Sequence, residues 1–286
     1  MWVDIGDCRL HYVEAPRAGE SRSGNDAPPR DDGELPTLLL LHGGPGFDHT
    51  GFRPAFDRYA GRARVVYVDQ RGQGRSDRST PDHWCLDVWA DDVARICDAL
   101  SIRQPIVFGQ SFGGMVAMRY AARHPGHARG LVLSSTSAHM HLHERVLPAF
   151  EAAGGARALR AAHAFFADPQ PETWADYARH CLPLYNTTPQ TGEKGDPRIE
   201  VLCHFFAGEA FSMDLRPELA RVTSPALVLS GTEDPITPPA DARDIVDAIG
   251  GDRAREVRFH RAGHGVWRDR PAEFFDVLDR YLDELG

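Results

Sequence analysis

Six residues constrain this chain more than any others: G-Q-S-F-G-G at 109–114, set between an apolar run and an apolar-periodic segment. The run QPIVFG (104–109) reads as a buried strand and FGGMVAMRYAARH (112–124) as a helix. Passing from strand to helix this abruptly requires a sharp turn. Gly109 and Gly113 flank Ser111 because such a turn leaves no room for side chains there. The turn lifts the Ser111 hydroxyl above the end of the strand, and the helix starting at Phe112 directs its positive end at the same space.

The rest of the chain repeats this alternation. TLLLL (37–41), RVVYVD (64–69), ARGLVLSS (128–135) and PALVLS (225–230) are short apolar runs of the buried, parallel kind. REVRFH (255–260) is a weaker last strand, and residues 2–15 alternate enough to read as a first one. Helical patterns fall at 84–99, 240–249 and 271–285. Strands alternating with helices predict an α/β fold, a mostly parallel sheet flanked by helices. The Gly, Pro, Asp and Ser-rich stretch 17–36 reads as an exposed loop.

One interval breaks the rhythm. About 90 residues separate the strand ending near Ser135 from the one starting near Ala226, with no buried strand between them. They read as helices at 143–153, 156–166, 171–180 and 197–206, separated by Pro169, Pro171, Pro183, Pro189, Gly192 and Gly195. So long an insertion predicts a helical cap at 136–215, with the body supplied by 1–135 and 216–286. The cap holds Phe165, Phe166, Trp174, Tyr177, Tyr185, Phe205 and Phe206. Most of these are expected to pack the cap on the body.

A serine at neutral pH needs a base, and the base needs an orienting acid. On such a sheet the order is serine, then acid, then histidine. Asp234, in S-G-T-E-D-P-I-T-P, follows the run 225–230, and His264, in F-H-R-A-G-H-G, follows the run 255–260. Glu233 and His260 are the competing neighbours. His260 belongs to the strand rather than to the loop after it. The L-H-G-G-P-G turn (41–46) can supply a backbone N–H from Gly43 or Gly44, which with that of Phe112 makes a two-donor oxyanion hole. No G-K-[ST] follows that turn and no G-x-G-x-x-G occurs, so no nucleotide cofactor is expected. His139, His141 and His143 alternate, but without the spacing of a zinc site; no metal is expected there.

Composition narrows the partners. With 32 basic and 41 acidic residues the formal charge is −9, which gives no support for nucleic-acid or acidic-membrane binding. A small molecule or short peptide is the expected substrate. Five cysteines without a C-x-x-C pair do not suggest a disulfide framework. The first residues lack a basic, then apolar, leader pattern, and no run of 18 apolar residues occurs. Cytoplasmic location is the resulting expectation.

H-G-G-P-G (42–46), D-Q-R-G-Q-G-R-S (69–76), G-Q-S-F-G-G (109–114), G-T-E-D-P-I-T-P (231–238) and G-H-G (263–265) together resemble the proline iminopeptidase branch of the α/β hydrolases, over about residues 38–134 and 217–286. That resemblance implies Ser111, Asp234 and His264 as a triad, and an oxyanion hole from the backbone near Gly44 and from Phe112. It also implies a cofactor-free enzyme that removes an N-terminal residue, often proline, under a cap whose carboxylates hold the free amine. Two positions depart from the pattern. Phe112 stands where many members have Trp or Tyr, and Pro235 where some carry an amine-binding Glu. Glu144, Glu200 and Glu209 are the candidate replacements in the cap. A carboxylesterase or lactonase with the same triad is the alternative.

Overall fold

Strand β3 (Thr37–Leu41) is buried along its whole length, and its side chains divide between two cores. Leu39 and Leu41 join one core, and Leu38 and Leu40 the other. This period-two division is why the run carries no polar residue after Thr37: both faces of the strand are covered. The same holds for β4 (Arg64–Val68), β5 (Ile106–Gln110), β6 (Gly130–Ser134) and β7 (Ala226–Gly231), each buried throughout. The structure is a computed structural model that describes residues 1–17, 35–189 and 197–286. Most of the 17–36 stretch, with Gly192 and Gly195, lies outside them.

With β1 (Trp2–Asp4), β2 (Arg9–Glu14) and β8 (Ala254–Phe259), these strands form one sheet in the order β1-β2-β4-β3-β5-β6-β7-β8. β1 and β2 pair antiparallel, as do β2 and β4; every later pairing is parallel. The single strand read over 2–15 is therefore two, broken at Gly6, where φ is 106°. β8 gave a weak signal because it is the edge strand, and only Phe259 of its six residues is buried.

One face of the sheet is covered by α1 (Leu86–Ala99), α2 (Phe112–Arg123) and α8 (Pro239–Ile249). The other is covered by the aromatic cluster of Phe52, Phe56, Phe108, Trp267 and Phe274, with α9 (Val266–Asp269) and α10 (Pro271–Leu285). Phe56 and Phe108 meet edge to face at 4.9 Å, a favoured ring geometry that adds about 1 kcal/mol to their burial.

Between β6 and β7 the chain leaves the sheet and forms α3 (Leu147–Ala167), α4 (Pro171–His180), α5 (Ile199–Ala207), α6 (Glu209–Ser212) and α7 (Arg216–Leu219). The two helices expected at 143–153 and 156–166 form one element broken at Gly155, whose φ of 67° and ψ of −165° a side chain would resist. A π-helical turn over Leu142–Val146 leads into it. No helix among the described residues is long and apolar enough to cross a membrane.

Candidate active site

Ser111 sits between β5 and α2 with φ 53° and ψ −118°, a strained conformation for a residue with a side chain. The surroundings enforce it. The Ser111 N–H donates to the Ser134 carbonyl at 2.9 Å, and Thr136 Oγ1 donates to the Ser111 carbonyl at 2.7 Å. A Cβ on Gly113 would overlap the Leu41 carbonyl, and one on Gly109 would overlap the Gly113 carbonyl. The elbow therefore closes only with glycine on both sides. The Ser111 hydroxyl has no hydrogen-bond partner among the described residues and opens into a cavity that His264 also lines.

Asp234 is buried, and four hydrogen bonds converge on its carboxylate. Oδ1 accepts the N–H groups of Ile236 and Thr237 at 2.9 and 3.0 Å. Oδ2 accepts the Thr237 hydroxyl at 2.8 Å and meets His264 Nδ1 at 2.8 Å. A carboxylate so held orients the imidazole through Nδ1 and leaves Nε2 as the ring nitrogen not engaged by Asp234. His264 is itself fixed by its own N–H to the Tyr185 carbonyl at 2.6 Å, and by Gln110 Nε2 donating to its carbonyl at 2.8 Å. Glu233 and His260 are both exposed.

The glycine turn is stapled from two sides. His42 Nδ1 lies 2.8 Å from the Gly43 carbonyl, while its Nε2 accepts the Gln70 N–H at 3.2 Å. Burial lowers the His42 pKa, so the ring stays neutral with one nitrogen donating and one accepting. Gln70 Nε2 donates to the His42 carbonyl at 2.9 Å, and Gln73 Oε1 accepts the Gly46 N–H at 2.7 Å. The D-Q-R-G-Q-G run thus holds the glycine turn against the elbow. A Cβ built on Gly43 would lie 3.3 Å from the Ser111 Cβ. The N–H groups of Gly43, Gly44 and Phe112 have no acceptor among the described residues. Gly43, Gly44 and Phe112 all line the cavity. Such free donors beside a hydroxyl are able to hold a developing oxyanion.

The cavity, about 390 Å³, lies between the sheet and the insertion. Phe165, Phe166, Trp174, Tyr177, Tyr185, Phe205 and Phe206 all line it, where most were expected to join cap and body. Trp174 and Tyr177 stack at 5.6 Å, and Tyr177 and Tyr185 share a hydroxyl hydrogen bond of 2.6 Å. The Tyr185 ring stands edge-on to that of His264 at 5.0 Å. Phe112 contacts Trp89 at 4.9 Å and Phe205 at 5.2 Å, so phenylalanine keeps an aromatic wall at that position.

The three glutamates expected to hold a substrate amine do not reach this cavity. Glu144 is exposed on the π-helical turn. Glu200 points outward and pairs with Arg78 at 2.6 Å. Glu209 Oε2 accepts the Leu86 N–H at 2.8 Å, capping α1, and burial raises its pKa. In place of these glutamates the cavity has Asp48, the only carboxylate among the described residues lining it, and Arg268. Neither was singled out by sequence. Arg268 follows His264 by four positions, and that adjacency was the available signal.

His139 and His141 meet edge to face at 4.7 Å but turn to the Met213 carbonyl and to Asp244, while His143 is exposed. A tighter histidine cluster lies elsewhere. His11 Nδ1 and His49 Nδ1 meet Asp69 at 3.1 and 2.7 Å, and the same carboxylate accepts the N–H groups of His49 and Arg75 at 3.0 Å. Burial alone would raise the Asp69 pKa, but these donors outweigh it and hold the carboxyl below its usual range. The network anchors the loop after β4.

Residues 36–270 match a family model described as alpha/beta hydrolase fold. A proline iminopeptidase of Lactobacillus helveticus is 28% identical, covering 88% of this chain and 91% of that protein. The AB hydrolase superfamily protein YisY of Bacillus subtilis is 27% identical over 88% of this chain and 93% of its own. Among solved structures, a proline iminopeptidase of Mycobacterium smegmatis superposes with a TM-score of 0.72 at 23% identity, covering 100% of this chain and 98% of that one.

Proposed function

The chain belongs to the α/β-hydrolase fold family, and from that premise we propose that it is a serine hydrolase cleaving small acyl substrates through an ester formed on Ser111. The observation that carries this reading is the 2.8 Å contact of His264 Nδ1 with Asp234, beside a cavity that Ser111 shares with His264. In this mechanism Ser111 Oγ attacks the substrate carbonyl and His264 Nε2 takes its proton. The oxyanion rests on the N–H of Phe112 and that of Gly43 or Gly44. His264 then protonates the leaving group, and a water activated in the same way releases the acid and restores Ser111.

Bond type follows from the walls. The lining is chiefly apolar and rich in aromatic rings, and no cap glutamate among the described residues is available for an ammonium group. This supports an ester or lactone with an apolar body. Aminopeptidase action is the second reading. It is favoured by the proline iminopeptidases among the relatives, and by Asp48, whose Oδ1 takes both hydrogen bonds from Thr50 while Oδ2 has no donor among the described residues. The deciding experiment compares kcat/KM on proline arylamide, on its N-acetyl form and on an acyl ester of similar size. The ester reading expects the ester to be strongly preferred and the two amides to be equally poor. A preference of about a hundredfold for the free amine, lost in Asp48→Asn, would establish the peptidase instead.

A further inference from the structure

Arg268 is the cation that lines this cavity, and it has no carboxylate partner among the described residues. Its Nη2 donates to the Gly51 carbonyl at 3.0 Å, which leaves Nε and Nη1 without an acceptor there. Asp269, next in sequence, is not available. Its two oxygens receive the N–H groups of Thr187, Thr188 and Gly263 at 3.0, 2.9 and 2.7 Å, and the Thr188 hydroxyl at 2.5 Å.

The guanidinium is held in place by what the chain omits around it. A Cβ on Gly51 would come within 3.3 Å of Nη2, and one on Gly265 within 3.3 Å of Nη1. The same point at Gly265 lies 2.5 Å from Asn186 Oδ1, which accepts the Gly265 N–H at 2.8 Å. Asn186 also lines the cavity, and its amide nitrogen has no acceptor among the described residues. The guanidinium carbon lies 4.8 Å from the Trp267 ring centre, so the plane is braced on one side by an aromatic wall. Burial lowers the Arg268 pKa, against the attraction of the occupied Asp269. A half-buried cation with open, fixed donors is better satisfied when an anion completes it. Arginine presents those donors as a fork that fits a carboxylate.

We propose that Arg268, with Asn186 beside it, forms an anion subsite, and that the substrate of this enzyme carries a carboxylate besides its scissile ester. This rests on the hydrolase reading and narrows its substrate class. It also runs against the amine-bearing substrate of the peptidase reading.

Two pairs of esters test it in the wild-type enzyme and in Arg268→Gln. Mono-4-nitrophenyl adipate against its methyl ester places the acid on the acyl side. 4-Carboxyphenyl butyrate against its methyl ester places it on the leaving group. In one of the pairs the wild type should prefer the acid at least tenfold in kcat/KM, mainly through KM, and Arg268→Gln should lower that ratio tenfold or more. No preference for the acid in either pair, or a ratio that survives Arg268→Gln, overturns the subsite. A binding measurement tests it without turnover. Adipate should bind the Ser111→Ala protein in calorimetry where adipamide does not, and equal binding of the two refutes the subsite even if Arg268→Gln fails to fold. Failure of the hydrolase reading has a separate sign: a fluorophosphonate would leave Ser111 unlabelled.

Discussion

Asp234 and His264, thirty positions apart, meet at 2.8 Å because each occupies the loop at the carboxyl end of one of two neighbouring parallel strands. Ser230 of β7 pairs with Arg258 of β8, so the loops after the two strands leave the sheet side by side. Glu233, adjoining Asp234, is exposed because it lies on the far side of the same turn. Replacing Asp234 with Asn should cost a factor on the order of 10⁴ in kcat, the loss this change produces in a serine protease triad by imposing the wrong tautomer on the histidine. Glu233→Gln should change kcat less than about threefold, since its exposed side chain takes a hydrogen bond from Thr232 alone among the described residues. Steady-state rates on one ester decide between them, and a reversal of the two effects would transfer the orienting role to Glu233.

Ser111→Ala should fold with an unchanged melting temperature, because the elbow is held by backbone and by Thr136 rather than by the hydroxyl. Its kcat should fall by about a thousandfold or more. A fluorophosphonate should label the wild type and not the variant; comparable turnover in both would remove Ser111 from the chemistry.

Gly113→Ala tests the backbone of the elbow rather than its chemistry. The added methyl meets the Leu41 carbonyl and lies 2.7 Å from that of His42, both of them backbone and unable to turn aside. Overpacking of this kind costs about 1–3 kcal/mol, and the glycine turn would be pushed off Ser111 as well. Urea denaturation should show the loss, together with an activity drop. A variant as stable and active as wild type would mean that the turn has slack the geometry denies it.

Asp241 gives a pH dependence of stability. It is buried where the insertion begins, and burial pushes its pKa up to about 6, against Arg145 at 2.6 Å and the other groups that favour its ionised form. The folded state therefore binds this proton more tightly than the unfolded chain. The contribution is fully present below about pH 4, the unfolded value, and is lost as pH rises through about 6. Compared with Asp241→Asn, the wild type should lose about 2–3 kcal/mol between those limits. Arg145 keeps Asp244 at 2.6 Å in the variant, so the comparison does not strand a buried charge. Parallel stability curves for the two proteins from pH 4 to 7 would contradict this.

The sheet, the elbow and the residues proposed for the triad were legible in the sequence because each is written in local terms. A strand buried on both faces must be apolar throughout, as TLLLL and IVF are. A turn too tight for side chains must have glycine at 109 and 113. An acid and a base at the ends of successive strands must come late and in order. The edge strand β8 was faint for the same reason, since half-exposure erases the apolar run.

The helices between β6 and β7 were legible as helices but not as a surface. Which side of a helix meets the cavity depends on its rotation and on partners far away in sequence. Glu209 is turned to the first N–H of α1, 123 positions earlier, and Glu200 to Arg78, 122 positions earlier. Nothing near either residue announces those partners. Arg268 shows the converse. Its position in the cavity depends on Gly51, 217 positions away, and on Asp269 being taken by Thr187 and Thr188 of the insertion. Backbone geometry is a short-range property that residue types specify directly. The charge presented to a substrate is a sum over long-range contacts, and here only the packed structure fixed it.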